Sequence, residues 1–190
     1  MEASFIVMKS SLAAFFAVLF FALTATAARA EGIDVHNATL VPDDDGWSLE
    51  ADFDVHLNGR LEEAINRGVP LYFVVEFELA RPRWYWLDEK PVQQSLTYKI
   101  SYTPLLRQYR LSVGNNYQNF TRLDEVTRAL ARLRGWHVAD KGAFNKDIAY
   151  QAGLRMRLDT AQLPKPFQVN AIASRDWTLA SDWHRWTASP

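Results

Sequence analysis

One tripeptide occurs twice, Asp34-Val35-His36 and Asp54-Val55-His56, and its residues are the ones best able to do chemistry. Set on neighbouring strands, the two copies bring two imidazoles and two carboxylates within a cross-strand distance of about 5 Å. Imidazole nitrogen and carboxylate oxygen together suit a transition metal, which makes Asp34, His36, Asp54 and His56 the candidate ligands. The plainer reading is a pair of Asp–His contacts on an exposed face, and no cofactor is expected.

The elements that must position them are legible. From Trp47 to Leu57 apolar and polar residues alternate, with Trp47, Leu49, Ala51, Phe53, Val55 and Leu57 on one side. Successive strand side chains point to opposite faces, so this stretch specifies a strand with one buried face. Ile33–Val41 reads as the preceding strand, and Asp43-Asp44-Asp45-Gly46 as the turn between them, with Gly46 closing a three-residue loop. A loop of Asp44-Asp45-Gly46 sets Val41 against Leu49, Val35 against Val55 and Ile33 against Leu57. On the outer side it sets Asp34 opposite His56 and His36 opposite Asp54. Asn37 and Thr39 then fall on the core side. The acidic run does not make a calcium loop, because the twelfth position from Asp43 is Asp54, inside a strand.

Other chemistry is sparse. Glu76 and Glu78 share one side of the strand Leu71–Leu79 and imitate a glycosidase carboxylate pair, but two such acids on a sheet surface read as solvated. There is no His-Glu-x-x-His, no glycine-rich phosphate loop and no Gly-x-Ser-x-Gly. Cysteine is absent, which excludes disulfides, a thiolate nucleophile and a Cys-based zinc site. Aromatics concentrate in Arg81-Pro82-Arg83-Trp84-Tyr85-Trp86. Both indoles share a face if that segment is extended, so Arg81, Arg83, Trp84 and Trp86 are the candidate ligand- or partner-binding residues.

The remaining pattern is of short strands with two helices inserted. Asn58–Gly68 is a short helix capped by Asn58, with Gly68 to terminate it. Strands follow at Ser95–Thr103 and Tyr109–Val113. A second helix starts in a capping-box-like Thr121-Arg122-Leu123-Asp124 and runs to about Arg134, stopping at Gly135. Trp136–Val138 and Ala149–Leu158 are further strands. Leu163-Pro164-Lys165-Pro166 reads as an extended turn into a last strand, Phe167–Ala173, and Trp183 and Trp186 as one terminal helical turn. Together these predict a mainly β, antiparallel β-sandwich of immunoglobulin-like character with two short inserted helices. A barrel with helical plugs is the second choice.

The N-terminus places the chain. Lys9 leads into an apolar run from Leu12 to Ala28 that closes with Ala28-Arg29-Ala30, the form of a cleavable secretory signal. Residues 1–30 are therefore expected to be a signal peptide and 31–190 a single periplasmic domain. The competing reading is an uncleaved inner-membrane anchor. From Glu31 to Asn58 there are eight carboxylates and no Lys or Arg, whereas from Gly59 onward there are 19 basic and 13 acidic residues. A net charge of −1 with an export signal argues against a nucleic-acid role.

Tyr109-Arg-Leu-Ser-Val113, Leu130-Ala-Arg-Leu-Arg-Gly-Trp136, Leu158–Gln168 and Ser181-Asp-Trp-His-Arg-Trp186 resemble an exported proteobacterial family catalogued only as a domain of unknown function. The resemblance spans the mature chain and carries over no catalytic residues. It implies a Gram-negative envelope location and an envelope or inner-membrane partner such as a sensor kinase. The expectation is a non-enzymatic protein-binding or signalling accessory domain. The alternative is a glycan- or peptidoglycan-binding module using exposed aromatics.

Overall fold

The long alternation forms the strand it specifies. In a computed structural model, which describes residues 32–81, 89–144 and 148–188, β2 (Gly46–His56) buries Leu49, Ala51, Phe53 and Val55. Its intervening carboxylates turn outward, as a period of two requires. β2 is the middle of a three-stranded antiparallel sheet, between β1 (Gly32–Pro42) and β7 (Arg132–Asp140).

The second sheet has six antiparallel strands. In spatial order they are β6 (Asn116–Phe120), β5 (Gln108–Val113), β4 (Glu89–Thr103), β3 (Leu71–Arg81), β8 (Tyr150–Leu158) and β9 (His184–Ala188). Along its centre Phe73, Val75, Phe77 and Leu79 of β3 pair with Leu158, Met156, Leu154 and Ala152 of β8, and all are buried. They join Leu49, Phe53 and Leu133 of the smaller sheet in one apolar core, so the two sheets form a sandwich and not a closed barrel. Each large side chain in that core contributes about 1.5–3 kcal/mol of transfer free energy.

Two helices fall where expected. α1 (Gly59–Asn66) is capped by Asn58, whose Oδ1 accepts from Leu61 N at 2.9 Å, and it buries Leu61, Ala64 and Ile65. α2 (Leu123–Leu130) buries Val126 and Leu130, and its N-terminal backbone N–H groups at Thr121 and Arg122 donate to Glu125 rather than to Asp124. It ends four residues sooner than predicted. Arg132 and Arg134 lie on β7, and Gly135, at φ 62°, sits where β7 steps out of register with β2, so this glycine serves a bulge and not a helix stop.

Two further expectations are corrected. The predicted strand Phe167–Ala173 is a helix, α3 (Lys165–Ala173), begun by bonds from Phe167 N and Gln168 N to Pro164 O at 2.8 and 3.3 Å. Pro166 lies in its first turn, where a missing N–H leaves nothing unpaired. The predicted helical turn at Trp183–Trp186 gives way to β9, which pairs Trp186 with Ala152 and Ala188 with Tyr150 of β8. Strand partners for these backbone groups outweigh the indole spacing.

Candidate functional site

The repeated Asp-Val-His lies on paired strands, in a different register from the predicted one. The connecting loop is Asp43–Gly46, closed by Asp43 N to Gly46 O at 2.9 Å, and Pro42 faces Trp47. It is braced by the Asp43 carboxylate, which accepts from the N–H groups of Asp45 and Gly46 and from the Ser48 hydroxyl. The hydrogen bond from Ser48 is the main cause holding the Asp43 pKa below its ordinary 3.8. This loop is one residue longer than expected, which displaces β1 by one position. A bulge at His36 displaces it by another, so that Leu40 faces Leu49 on one side of it and Val35 faces Phe53 on the other.

The bulge has a clear cause. It turns Asn37 and Thr39 out to solvent and brings Ala38 and Leu40 inward, leaving Val41 exposed. A straight strand in the predicted register would have buried the two polar groups without partners, a penalty of about 1–3 kcal/mol each.

Asp34 consequently stands opposite Asp54, not His56. Both imidazoles converge on one carboxylate: His36 Nε2 lies 3.7 Å from Asp54 Oδ2, and His56 Nε2 lies 2.9 Å from Asp54 Oδ1. The second contact lacks hydrogen-bond geometry and leaves the buried His56 Nε2 without a hydrogen bond. Among the described residues no group of three or more His, Asp or Glu is placed to hold a metal ion. The structure thus gathers His36, Asp54 and His56 and leaves Asp34 beside them as a like charge.

Of the candidate binding residues, Arg81 ends β3 as an exposed side chain opposite Glu89. Arg83, Trp84 and Trp86 lie outside the described residues.

A polar cluster that sequence reasoning missed covers the outer face of the larger sheet. β3 turns Glu76 and Glu78 outward, and β8 sets Arg155 and Arg157 beside them. The Glu76 carboxylate accepts from Arg155 Nε and, at 3.1 and 2.9 Å, from Arg157 Nε and Nη2. Burial raises the pKa of Glu76, but the two guanidiniums outweigh it and hold the carboxyl below its ordinary 4.5. The Arg155 guanidinium lies 4.6 Å from the Trp183 ring centroid and that of Arg185 lies 5.8 Å away. Gly153 leaves room beneath that indole, since a Cβ there would approach Trp183 Cε3 and Glu78 Cγ to 3.2 Å. Beside Trp183 opens a cleft of about 310 Å³ lined by Glu76, Glu78, Gln93, Gln94 and Ser95. The matching alternation of acids in Leu71–Leu79 and arginines in Ala149–Leu158 was the available signal.

A second cleft, of about 240 Å³, is apolar and lies between two sheet edges. Ala38, Thr39 and Leu40 of β1 form one wall, and Trp186, Thr187 and Ala188 of β9 the other. Trp47 and Phe144 form the rest, their rings edge to face at 5.0 Å. β1 and β9 are terminal strands of their sheets, so each presents one side of its backbone unpaired among the described residues. An open edge beside an apolar trough can accept an extended chain by main-chain hydrogen bonds, with alternate side chains entering the trough.

Residues 30–187 match a family model described as a domain of unknown function (DUF4390). No curated protein and no solved structure matches the chain.

Proposed function

The chain belongs to the DUF4390 family of domains of unknown function, and on that premise we propose that it is a protein-binding domain of the Gram-negative envelope. It grips an extended segment of a partner, such as the periplasmic part of an inner-membrane sensor protein, in the cleft between β1 and β9. The observation that carries this reading is the apolar cleft flanked by two strand edges that are unpaired among the described residues. Backbone pairing along an edge gives affinity, and Leu40, Trp47 and Trp186 select apolar side chains. Export is supported by the basic Lys9, the apolar run after it and the Ala28-Arg29-Ala30 end. A photo-crosslinking amino acid at the exposed Thr39 should trap one envelope protein, and the adduct should vanish when Leu40→Arg places a charge in the trough. The same crosslinker at Asp44, on the hairpin loop, should give none. Adducts of equal yield at both positions would sink the proposal.

A second reading, glycan binding, is favoured by the cleft at Trp183. An indole beside Gln93, Gln94, Ser95 and Glu78 offers a sugar an aromatic wall and planar hydrogen-bonding groups. Isolated peptidoglycan should then retain the protein, and Trp183→Ala should release it. Retention unchanged in that variant removes this reading.

A further inference from the structure

The hairpin between β4 and β5 ends in Thr103-Pro104-Leu105-Leu106-Arg107. Leu106 N and Arg107 N bond back to Thr103 O and Pro104 O at 3.2 and 3.3 Å, so the tip is a formed turn. That turn holds Leu105 92% exposed and Leu106 60% exposed. Exposed leucines scattered singly are ordinary on a protein surface, but two adjacent ones on a convex tip form an apolar point.

The arm behind the tip carries one sign of charge. From Lys90 to Leu123 the sequence contains Lys90, Lys99, Arg107, Arg110 and Arg122 and no Asp or Glu. Arg107 is exposed at the tip. On the outer face Arg110 lies over the Tyr117 ring at 4.3 Å, and Lys99 lies over Tyr72 at 5.7 Å. Glu62 and Asp124, which line a cleft with Tyr109, sit on the opposite, inner side of the arm. Leucines leading, with cations and amphipathic tyrosines behind, match the layers of an anionic bilayer surface. Aliphatic side chains enter the acyl boundary, guanidiniums meet phosphate, and phenol rings settle at headgroup depth. A protein socket would have to be both concave and acidic to fit, whereas an anionic bilayer supplies the charge and yields around an inserted tip, so it needs no preformed concavity.

We propose that the β4–β5 tip docks the protein against an anionic lipid surface. This goes beyond the edge-cleft reading and does not depend on it. Because the chain has no cysteine, Leu105→Cys in the full-length protein gives one labelling site for an environment-sensitive dye. Vesicles of phosphatidylcholine with about a third phosphatidylglycerol should shift that dye's emission to the blue, while a dye at Asp44→Cys stays unchanged. Each basic residue near such a surface is worth about a five-fold change in affinity. Arg107→Glu with Arg110→Glu should therefore raise the lipid concentration for half-maximal shift by more than about twenty-fold. High salt should do the same. An unchanged emission at Leu105, or a shift equally strong in pure phosphatidylcholine and in the double-Glu variant, overturns the proposal. The tip would then be assigned to a protein partner.

Discussion

Gly46→Ala should lower the stability of the folded domain by about 3 kcal/mol. That corresponds to a drop of roughly 6–12 °C in melting temperature for a domain of this size. Gly46 opens β2 and pairs with Asp140 of β7. A methyl group on it would overlap the Ala139 carbonyl oxygen and lie 2.8 Å from Asp140 Cα. Both are main-chain atoms, so the clash cannot be relieved by turning a side chain. β7 would have to recede, loosening the bond from Lys141 N to Asp45 O (3.3 Å) and the Trp47–Phe144 contact that forms part of the apolar cleft. Gly59→Ala is the control. Nothing lies within 4 Å of its added methyl, and in the first turn of α1 it should be neutral or stabilise by about 0.5–1 kcal/mol. Thermal and urea denaturation of both variants decide the matter, and equal melting temperatures would mean that the β2–β7 junction is pliable.

Glu76→Gln should destabilise by about 2 kcal/mol at neutral pH. The figure lies between the 0.2–1 kcal/mol of exposed ion pairs and the 3–5 kcal/mol of breaking buried ones. Glu76 is only 22% exposed, while Arg155 and Arg157 are exposed by about a third, which tempers the effect. The substitution keeps the shape and leaves two guanidiniums facing a neutral amide. The pH dependence has a definite sign. The carboxyl pKa is depressed in the fold, so its stabilisation is fully present above the unfolded value of 4.5 and disappears as pH falls through the lower folded value. The wild-type protein should therefore lose part of its stability on acidification, and the variant should lose less. Urea midpoints measured at pH 7 and pH 3 give the comparison. A wild-type advantage of the same size at both values would show that ionisation of Glu76 is not its source.

What the sequence made legible was whatever a single segment decides. β2, β3 and β8 alternate strongly enough to fix their inward faces, and Asn58 with its helix is a purely local device. Apart from α3, which is begun by local bonds to Pro164 O, the failures depended on distant partners. β6 is a polar strand, Asn116–Phe120, exposed along most of its length, that exists because β5 pairs with it. β9 owes its extended form to β8, and the Trp183–Trp186 spacing says nothing of that. The Asp-Val-His cluster was half visible. Parity alone put Asp34, Asp54 and His56 on the outer face, but which of them meet depended on loop length and on a bulge, neither of which leaves a local mark. The Glu76–Arg155–Arg157 cluster was hidden for the same reason, since each half is an ordinary solvated pattern until the strands are laid side by side.

The bulge also says where this chain can change length. His36 is a surplus residue: on its two sides Val35 faces Phe53 and Asn37 faces Asp52, which are consecutive in β2. Removing it would join two half-strands that already alternate in phase, Ile33 and Val35 inward, then Ala38 and Leu40 inward. Removing the adjacent outward Asn37 would do the same, whereas losing a residue elsewhere between Ile33 and Leu40 would invert one half and push a polar side chain into the core. Length variation among relatives within this strand should therefore fall at positions 36–37, and a gap there in an alignment would mark a shared architecture rather than a divergent one.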